Sequence, residues 1–150
     1  MAAISAEEID TLDPRQSIPT LEQVKQFMAA HTGERSAILL AEEEGQIIGT
    51  INLTRFGWPQ LDHVVWLGLN VASKFRNKGV GRSLLVYGLQ WTSQVPQIER
   101  VELEVISNNF PAIHLYESFG FVREGVKRSA VKKGGQYLDI FVYGLLSKTG

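Results

Sequence analysis

From Ser36 to Leu146 the chain switches repeatedly between the two-residue alternation of strands and the wider spacing of amphipathic helices. Residues 36–42 (SAILLAE) and 46–55 (QIIGTINLTR) alternate as strands, and Glu44-Gly45 between them reads as a tight hairpin turn. Phe56-Gly57-Trp58-Pro59 breaks the pattern, after which 63–71 (HVVWLGLNV) is apolar on both faces, as expected of a strand central in its sheet. A helix is predicted from about Val80 to Gln94, where Val80, Leu84, Tyr87 and Trp91 recur at helical spacing and Leu85 and Leu89 widen the stripe. Residues 99–106 (ERVELEVI) alternate as a strand, and 111–119 form a short helix with Pro111 in its first turn. A strand over 121–125, a turn at 132–135 and a last strand over 137–146 complete the series. Upstream, residues 1–19 are polar, contain Pro14 and Pro19, and read as an irregular lead-in. Thr20 and Gln23 make a capping box for a helix that places Leu21, Val24, Phe27 and Met28 on one face and ends at Gly33. Hairpins at both ends, with strand-helix-strand-helix-strand between, predict an α/β domain spanning 1–150: a mixed sheet with helices on both faces.

Composition narrows what such a domain does. A chain of 150 residues buries a core without staples. The absence of cysteine removes disulfides, thiol nucleophiles and thiolate metal sites. The formal charge of −1 disfavours nucleic acid as the main partner. Residues 1–8 carry neither a basic nor an apolar leader, and no run approaches the roughly 20 apolar residues of a membrane span. The expectation is a cytoplasmic protein with no membrane partner. His31, His63 and His114 have no spacing that suggests a metal site.

The stretch from Val71 to Arg82 is the most informative. A central strand ends, a loop with Arg76, Asn77, Lys78 and Gly79 follows, and an amphipathic helix begins with Val80, Gly81 and Arg82. Free N–H groups at a helix start, reinforced by the helix dipole, suit an anion. Gly79 and Gly81 keep side chains from holding a phosphate off the backbone, and Arg76, Lys78 and Arg82 supply charge at the rim. On its own the Arg-x-x-Gly-x-Gly string fits a plain capped turn equally well. It is neither a Walker loop nor a dinucleotide fingerprint.

Together with a second block, this stretch resembles the GNAT superfamily of acyl-CoA N-acyltransferases. Leu69-Asn70-Val71 with Arg76-Asn77-Lys78-Gly79-Val80-Gly81 matches the family's Gln/Arg-x-x-Gly-x-Gly/Ala turn. Residues 103–121 match its strand, its Asn-x-x-Ala-x-x-Leu-Tyr helix (Asn109, Ala112, Leu115, Tyr116) and its Gly-Phe ending. Glu124-Gly125 and Tyr137-Leu138-Asp139 resemble the close of some members, so the likeness spans roughly 36–146. It implies a mostly antiparallel sheet whose central parallel strand pair is splayed. It also implies acetyl-CoA as co-substrate, with no metal. The turn 76–82 would bind the pyrophosphate, Leu69 to Val71 would pair with the pantetheine arm, and the Val71 N–H would face the thioester oxygen. Asn109 would bond the cofactor, Tyr116 would be the general acid, and Glu104 stands where ribosomal-protein alanine acetyltransferases carry their base.

Amine attack on a thioester calls for such groups. An alkylammonium of pKa ~10.4 must lose a proton to a base or a water chain. A fixed N–H stabilises the charge growing on the carbonyl oxygen. A phenol, reference pKa ~10, protonates a departing thiolate of ~8.5. Each candidate also has a plainer reading: Tyr116 as core, Glu102 and Glu104 as a solvated pair on one strand face, Asn109 as a helix cap. Phe56 and Trp58 are either acceptor-pocket walls or a capping cluster, and Tyr137 and Asp139 are placed to touch acceptor or a partner subunit.

Family members usually begin with a strand and helix, and the expectation is that this chain lacks them, since residues 1–19 hold no convincing strand. The uncovered sheet edge invites pairing with a second copy as a homodimer. The acceptor class stays open among a small amine, an amino acid and a peptide N-terminus. The rival expectations are an acyl-CoA-binding module or sensor with little catalysis and, more distantly, a phosphate-nucleotide protein unrelated to acyl transfer.

Overall fold

A computed structural model describes residues 35–147. The lead-in over 1–19, the helix expected from Thr20 with its Leu21, Val24, Phe27 and Met28 face, His31, and the question of an earlier strand and helix all lie outside the described residues. Within them the elements are β1 (Ser36–Glu43), β2 (Gln46–Arg55), β3 (Val64–Val71), α1 (Val80–Gln94), β4 (Arg100–Ile106), α2 (Phe110–Ser118), β5 (Val122–Lys133) and β6 (Gln136–Leu146). Short 3-10 turns occupy Pro59–Leu61 and Ser73–Phe75.

The strands form a six-stranded sheet in the order β1-β2-β3-β4-β6-β5. Every neighbouring pair is antiparallel except β3 and β4. The β1–β2 hairpin closes through Glu44 at φ 50° and Gly45 at φ 77°, the doubly left-handed turn that matches strand twist. β3 lies inside the sheet, as its two apolar faces predict. On one face Ile51, Leu53, Val65, Leu67, Val101, Leu103, Val105 and Tyr143 form a buried core with Leu84 and Leu85 of α1 and Ile113 and Tyr116 of α2. Both described helices therefore cover the same face.

Two local readings of the sequence need correction. Tyr87 does not belong to the buried stripe of α1: it is 63% exposed. The helix instead buries Leu84, Leu85, Gly88 and Thr92. Gly88 brings the helix down onto the sheet, since a Cβ there would lie 2.6 Å from Ile51 Cδ1. The strand expected over 121–125 also runs on to Lys133, with register shifts between Arg123 and Gly125 and between Lys127 and Val131. As an outermost strand, exposed at nearly every position, it has no dry face to impose the alternation by which strands are read.

The feature that positions the site is a parting of strands. β3 and β4 pair only at Val64↔Arg100, Val65↔Val101 and Trp66↔Glu102. Beyond that both strands continue without each other, β3 held by β2 as far as Val71 and β4 held by β6 as far as Ile106.

Candidate functional site

The register fixes what faces the gap. Ala72 N donates to Ile48 O at 2.9 Å, in step with the Gly49↔Val71 pairing. Even-numbered residues of β3 thus bond β2, and the N–H and C=O of Leu69 and Val71 point toward β4. On the other side Ser107 N donates to Asp139 O at 2.9 Å, in step with Ile106↔Ile140. The backbone groups of Glu104 and Ile106 therefore point back across the gap. Two strand edges face each other over a cleft of about 350 Å³ whose walls include Leu69, Asn70, Val71, Glu104, Ile106, Asn109 and Tyr116. Edge groups of this kind need partners, and an extended chain bearing amides supplies them.

At one end of the cleft the 76–82 turn meets α1. The Arg76 Nε donates to Val71 O at 3.1 Å, tying the loop to the strand end. Asn77 (φ 60°) and Gly79 (φ 82°) take left-handed conformations that favour these residue types. Gly79 is the N-cap of α1 and no side chain caps the helix, so the N–H groups of Val80, Gly81 and Arg82 begin α1 without a side-chain acceptor. A Cβ on Gly79 would meet nothing within 4 Å, whereas one on Gly81 would touch Leu115, Val71 and Leu69 at 3.4 to 3.7 Å. Gly79 is thus matched to its backbone angle, whereas a methyl at Gly81 would make only ordinary contacts with the cleft floor. Arg76, Asn77, Gly79, Val80, Gly81 and Arg82 all line the cleft; Lys78 does not, its ammonium lying 5.6 Å from the Phe75 ring centre. The Arg82 guanidinium leans toward α2, 5.1 Å from the Phe119 ring and 3.4 Å from Ser118 Oγ.

The opposite wall comes from β4 and α2. Asn109 caps α2, its Oδ1 accepting from Ala112 N at 3.3 Å, so capping and a place on the cleft wall coexist. Tyr116 is only 5% exposed and meets Phe121 edge-on at 5.8 Å. Burial pushes its phenol well above the ordinary value, because the low-dielectric surroundings disfavour phenolate. Glu104 and Glu102 are not a solvated pair. Glu104 forms an ion pair with Lys127 of β5, and Arg100 bridges Glu102 and Glu124. The Arg100 guanidinium grips Glu124 with two hydrogen bonds and holds its carboxyl below the usual range.

Other candidates lie elsewhere. Phe56 and Trp58 are 38% and 71% exposed and are not among the residues lining the cleft. Their loop is fastened through Asp62 to Arg35 and Arg55. Asp139 accepts from Ser129 N at 2.8 Å, and Tyr137 lies under Lys132. The His63 carbonyl accepts from Glu99 N and Arg100 N, and His114 is exposed. Among the described residues no cluster of three His, Asp or Glu side chains is placed to hold a metal. Trp66 and Gly68, outside both motif blocks, also line the cleft, as do Ile106 and Asn108, which lie within the second block but are assigned no role by it. Gly68 had a readable signal, since a glycine inside an apolar strand marks a close approach.

A family model described as an acetyltransferase (GNAT) domain matches residues 2–142. The L-amino acid N-acetyltransferase AaaT of Escherichia coli is 29% identical over 103 residues, covering 69% of this chain and 64% of that protein. An N-alpha-acetyltransferase of Sulfolobus acidocaldarius is 34% identical over 104 residues, covering 63% of this chain and 62% of that protein. The chain thus spans less than two thirds of the length of these curated relatives. A GNAT-family acetyltransferase from Streptococcus pneumoniae superposes with a TM-score of 0.79 at 28% identity, covering 87% of this chain and 79% of that one.

Proposed function

The chain belongs to the GNAT acetyltransferase family, and from that premise we propose that it transfers an acetyl group from acetyl-CoA to a primary amine of a small molecule, amino acid or peptide N-terminus, by direct attack of the nitrogen on the thioester. The observation that carries this reading is the parting of β3 and β4 after Trp66↔Glu102, beside a helix start without a side-chain cap. A nucleotide site would use the helix start alone. A pyrophosphate joined to an extended arm bearing amides uses both. Two relatives, an L-amino acid N-acetyltransferase and an N-alpha-acetyltransferase, favour an amine acceptor.

In this reading the amides of Val80, Gly81 and Arg82 and the α1 dipole bind the pyrophosphate, with Arg76, Asn77 and Arg82 around it and Lys78 outside the cleft wall, able to reach it only by leaving the Phe75 ring. Leu69, Asn70 and Val71 line one side of the arm as an added strand would, and Asn109 bonds it near the start of α2. The Val71 N–H faces the thioester oxygen and stabilises the charge that grows there. As the C–N bond forms and the C–S bond breaks, the amine's proton passes to Glu104, directly or through water. Tyr116 gives its proton to the sulfur. Burial raises the phenol, and it raises a thiolate in the same dry pocket as well, so Tyr116 stays protonated until a basic sulfur stands beside it. The chemistry requires no nucleophilic side chain.

The ion pair between Glu104 and Lys127 supports a second reading, in which the base is engaged and the domain binds acyl-CoA with little turnover. Thermal shift and thiol release separate these. Acetyl-CoA is expected to raise the melting temperature where ATP and NAD do not, and thiol release is expected with at least one member of an amine, amino-acid and peptide panel. Protection by CoA with no release across the panel favours the binding module. Protection by ATP or NAD, and none by CoA, overturns both.

A further inference from the structure

We propose that the acceptor carries a carboxylate beside its primary amine, as a free amino acid does, and that Glu104 receives its ammonium while Lys127 receives its carboxylate. The inference rests on the acetyl-transfer reading above and narrows its acceptor. Even-numbered residues of β4 point away from α1 and α2, and Glu104 is the first of them beyond the last β3–β4 pair. Extending the parallel register sets it across the gap from Gly68, where a Cβ would lie 3.0 and 3.2 Å from the Trp66 ring. Trp66, Gly68 and Glu104 all line the cleft. The Trp66 ring therefore lies over Gly68, in the space a side chain there would take, and the strand parting leaves this indole and the Glu104 carboxylate on the same cleft wall, an aromatic and an anion that both suit a cation.

Lys127 reaches this place from two strands away. It stands opposite Ile140 while Glu104 stands opposite Val142, so the lysine stem runs diagonally over β6 to the glutamate. Its side chain is 55% exposed against 22% for Glu104. Among the described residues, Arg100 on the same face is already shared between Glu102 and Glu124. An exposed ion pair contributes little to stability, and a lysine head on a flexible stem moves readily. A zwitterion therefore replaces the pair with two, ammonium to Glu104 and carboxylate to Lys127. An amine without a carboxylate would bring a second cation beside Lys127 with no anion to match. Acetylation removes the charge from nitrogen, so the product loses its hold on Glu104 and the original pair can re-form, which favours release.

The test compares free L-amino acids with their carboxamides as acceptors, following thiol release by wild type, Lys127→Met and Lys127→Arg. Lys127→Met is expected to raise KM for the free acids about tenfold, the loss of one charged hydrogen bond, and to leave the carboxamide KM unchanged or lower it, since the amide has no carboxylate to lose there. Lys127→Arg should recover most of the loss. Equal KM changes for acids and carboxamides, or none for either, overturn the clamp, as does a wild type that prefers polyamines or peptides. Should no acceptor release thiol, the acetyl-transfer reading fails, and calorimetric binding of the same acids to the CoA-bound protein still decides the clamp. Weaker binding to Lys127→Met supports it, and equal binding overturns it.

Discussion

Tyr116 sits where α2 turns its apolar face to the core, buried against Phe121 and still part of the cleft wall. Its side chain is large enough to do both. Tyr116→Phe keeps the ring and removes one oxygen, so turnover is expected to fall by about 10²-fold or more, the scale of a general acid, with CoA affinity within about twofold. An unchanged rate would remove the hydroxyl from the chemistry. The same residue makes a prediction about pH. Its phenol is raised in the folded chain, whereas the unfolded chain ionises near ~10. Below ~10 both states hold the proton and the residue contributes no slope. Above it only the unfolded state releases the proton, and stability falls by up to ~1.4 kcal/mol per pH unit. Denaturant melts between pH 9 and 11 should show a shallower alkaline decline for Tyr116→Phe, and identical slopes would place the hydroxyl in water. The tyrosine's place in its motif is legible in the sequence. Its burial is not, because that depends on Phe121 and on strands distant along the chain.

At the scale of elements, α1 must bury one face and still present its first turn to the cleft. Gly88 lets it do the former. Gly→Ala in a helix interior ordinarily stabilises by ~1 kcal/mol, but here the new methyl would sit 2.6 Å from Ile51 Cδ1, and Ile51 is fully buried. Gly88→Ala is expected to destabilise by about 1–3 kcal/mol through overpacking. Ile51→Val alone should cost about 0.5–1.5 kcal/mol. Combined, they should be more stable than the sum of the two losses predicts, because the valine lacks the clashing atom. Strict additivity in urea melts would show that the helix moves instead. The boundaries of α1 follow from periodicity, but its buried stripe does not. Tyr87 keeps the spacing yet points outward, and only the register of Gly88 over Ile51 selects the face.

Across the whole molecule, the sheet face away from α1 and α2 carries a charge network that ties β4 to β5 over the intervening β6. Arg100 on β4 grips Glu124 on β5 over Gly144 of β6, where a Cβ would lie 2.5 Å from the carboxylate oxygen and 2.6 Å from the guanidinium nitrogen. A carboxyl depressed in the folded state contributes stability that is present above its unfolded value of ~4.3 and is lost as pH falls through the folded value. Glu124→Gln is therefore expected to be less stable than wild type at pH 7, by no more than about 1 kcal/mol for so exposed a pair. The two should converge in melts taken progressively below pH 4. A gap that persists in acid would assign the effect to packing over Gly144 rather than to charge.

What the sequence determined by itself is local. Alternation and helical spacing set the element order and most boundaries, a left-handed Glu44-Gly45 pair set a hairpin, and two ordered motifs pointed to a family, because each depends on residues a few positions apart. The tertiary structure decided everything that depends on strands meeting. It ended the β3–β4 ladder at Trp66↔Glu102, aimed the backbone of Leu69 and Val71 at that of Glu104 and Ile106, and brought Lys127 over β6 to Glu104. Pairing and its loss belong to two chain segments at once, and no single stretch of sequence records where its partner stops.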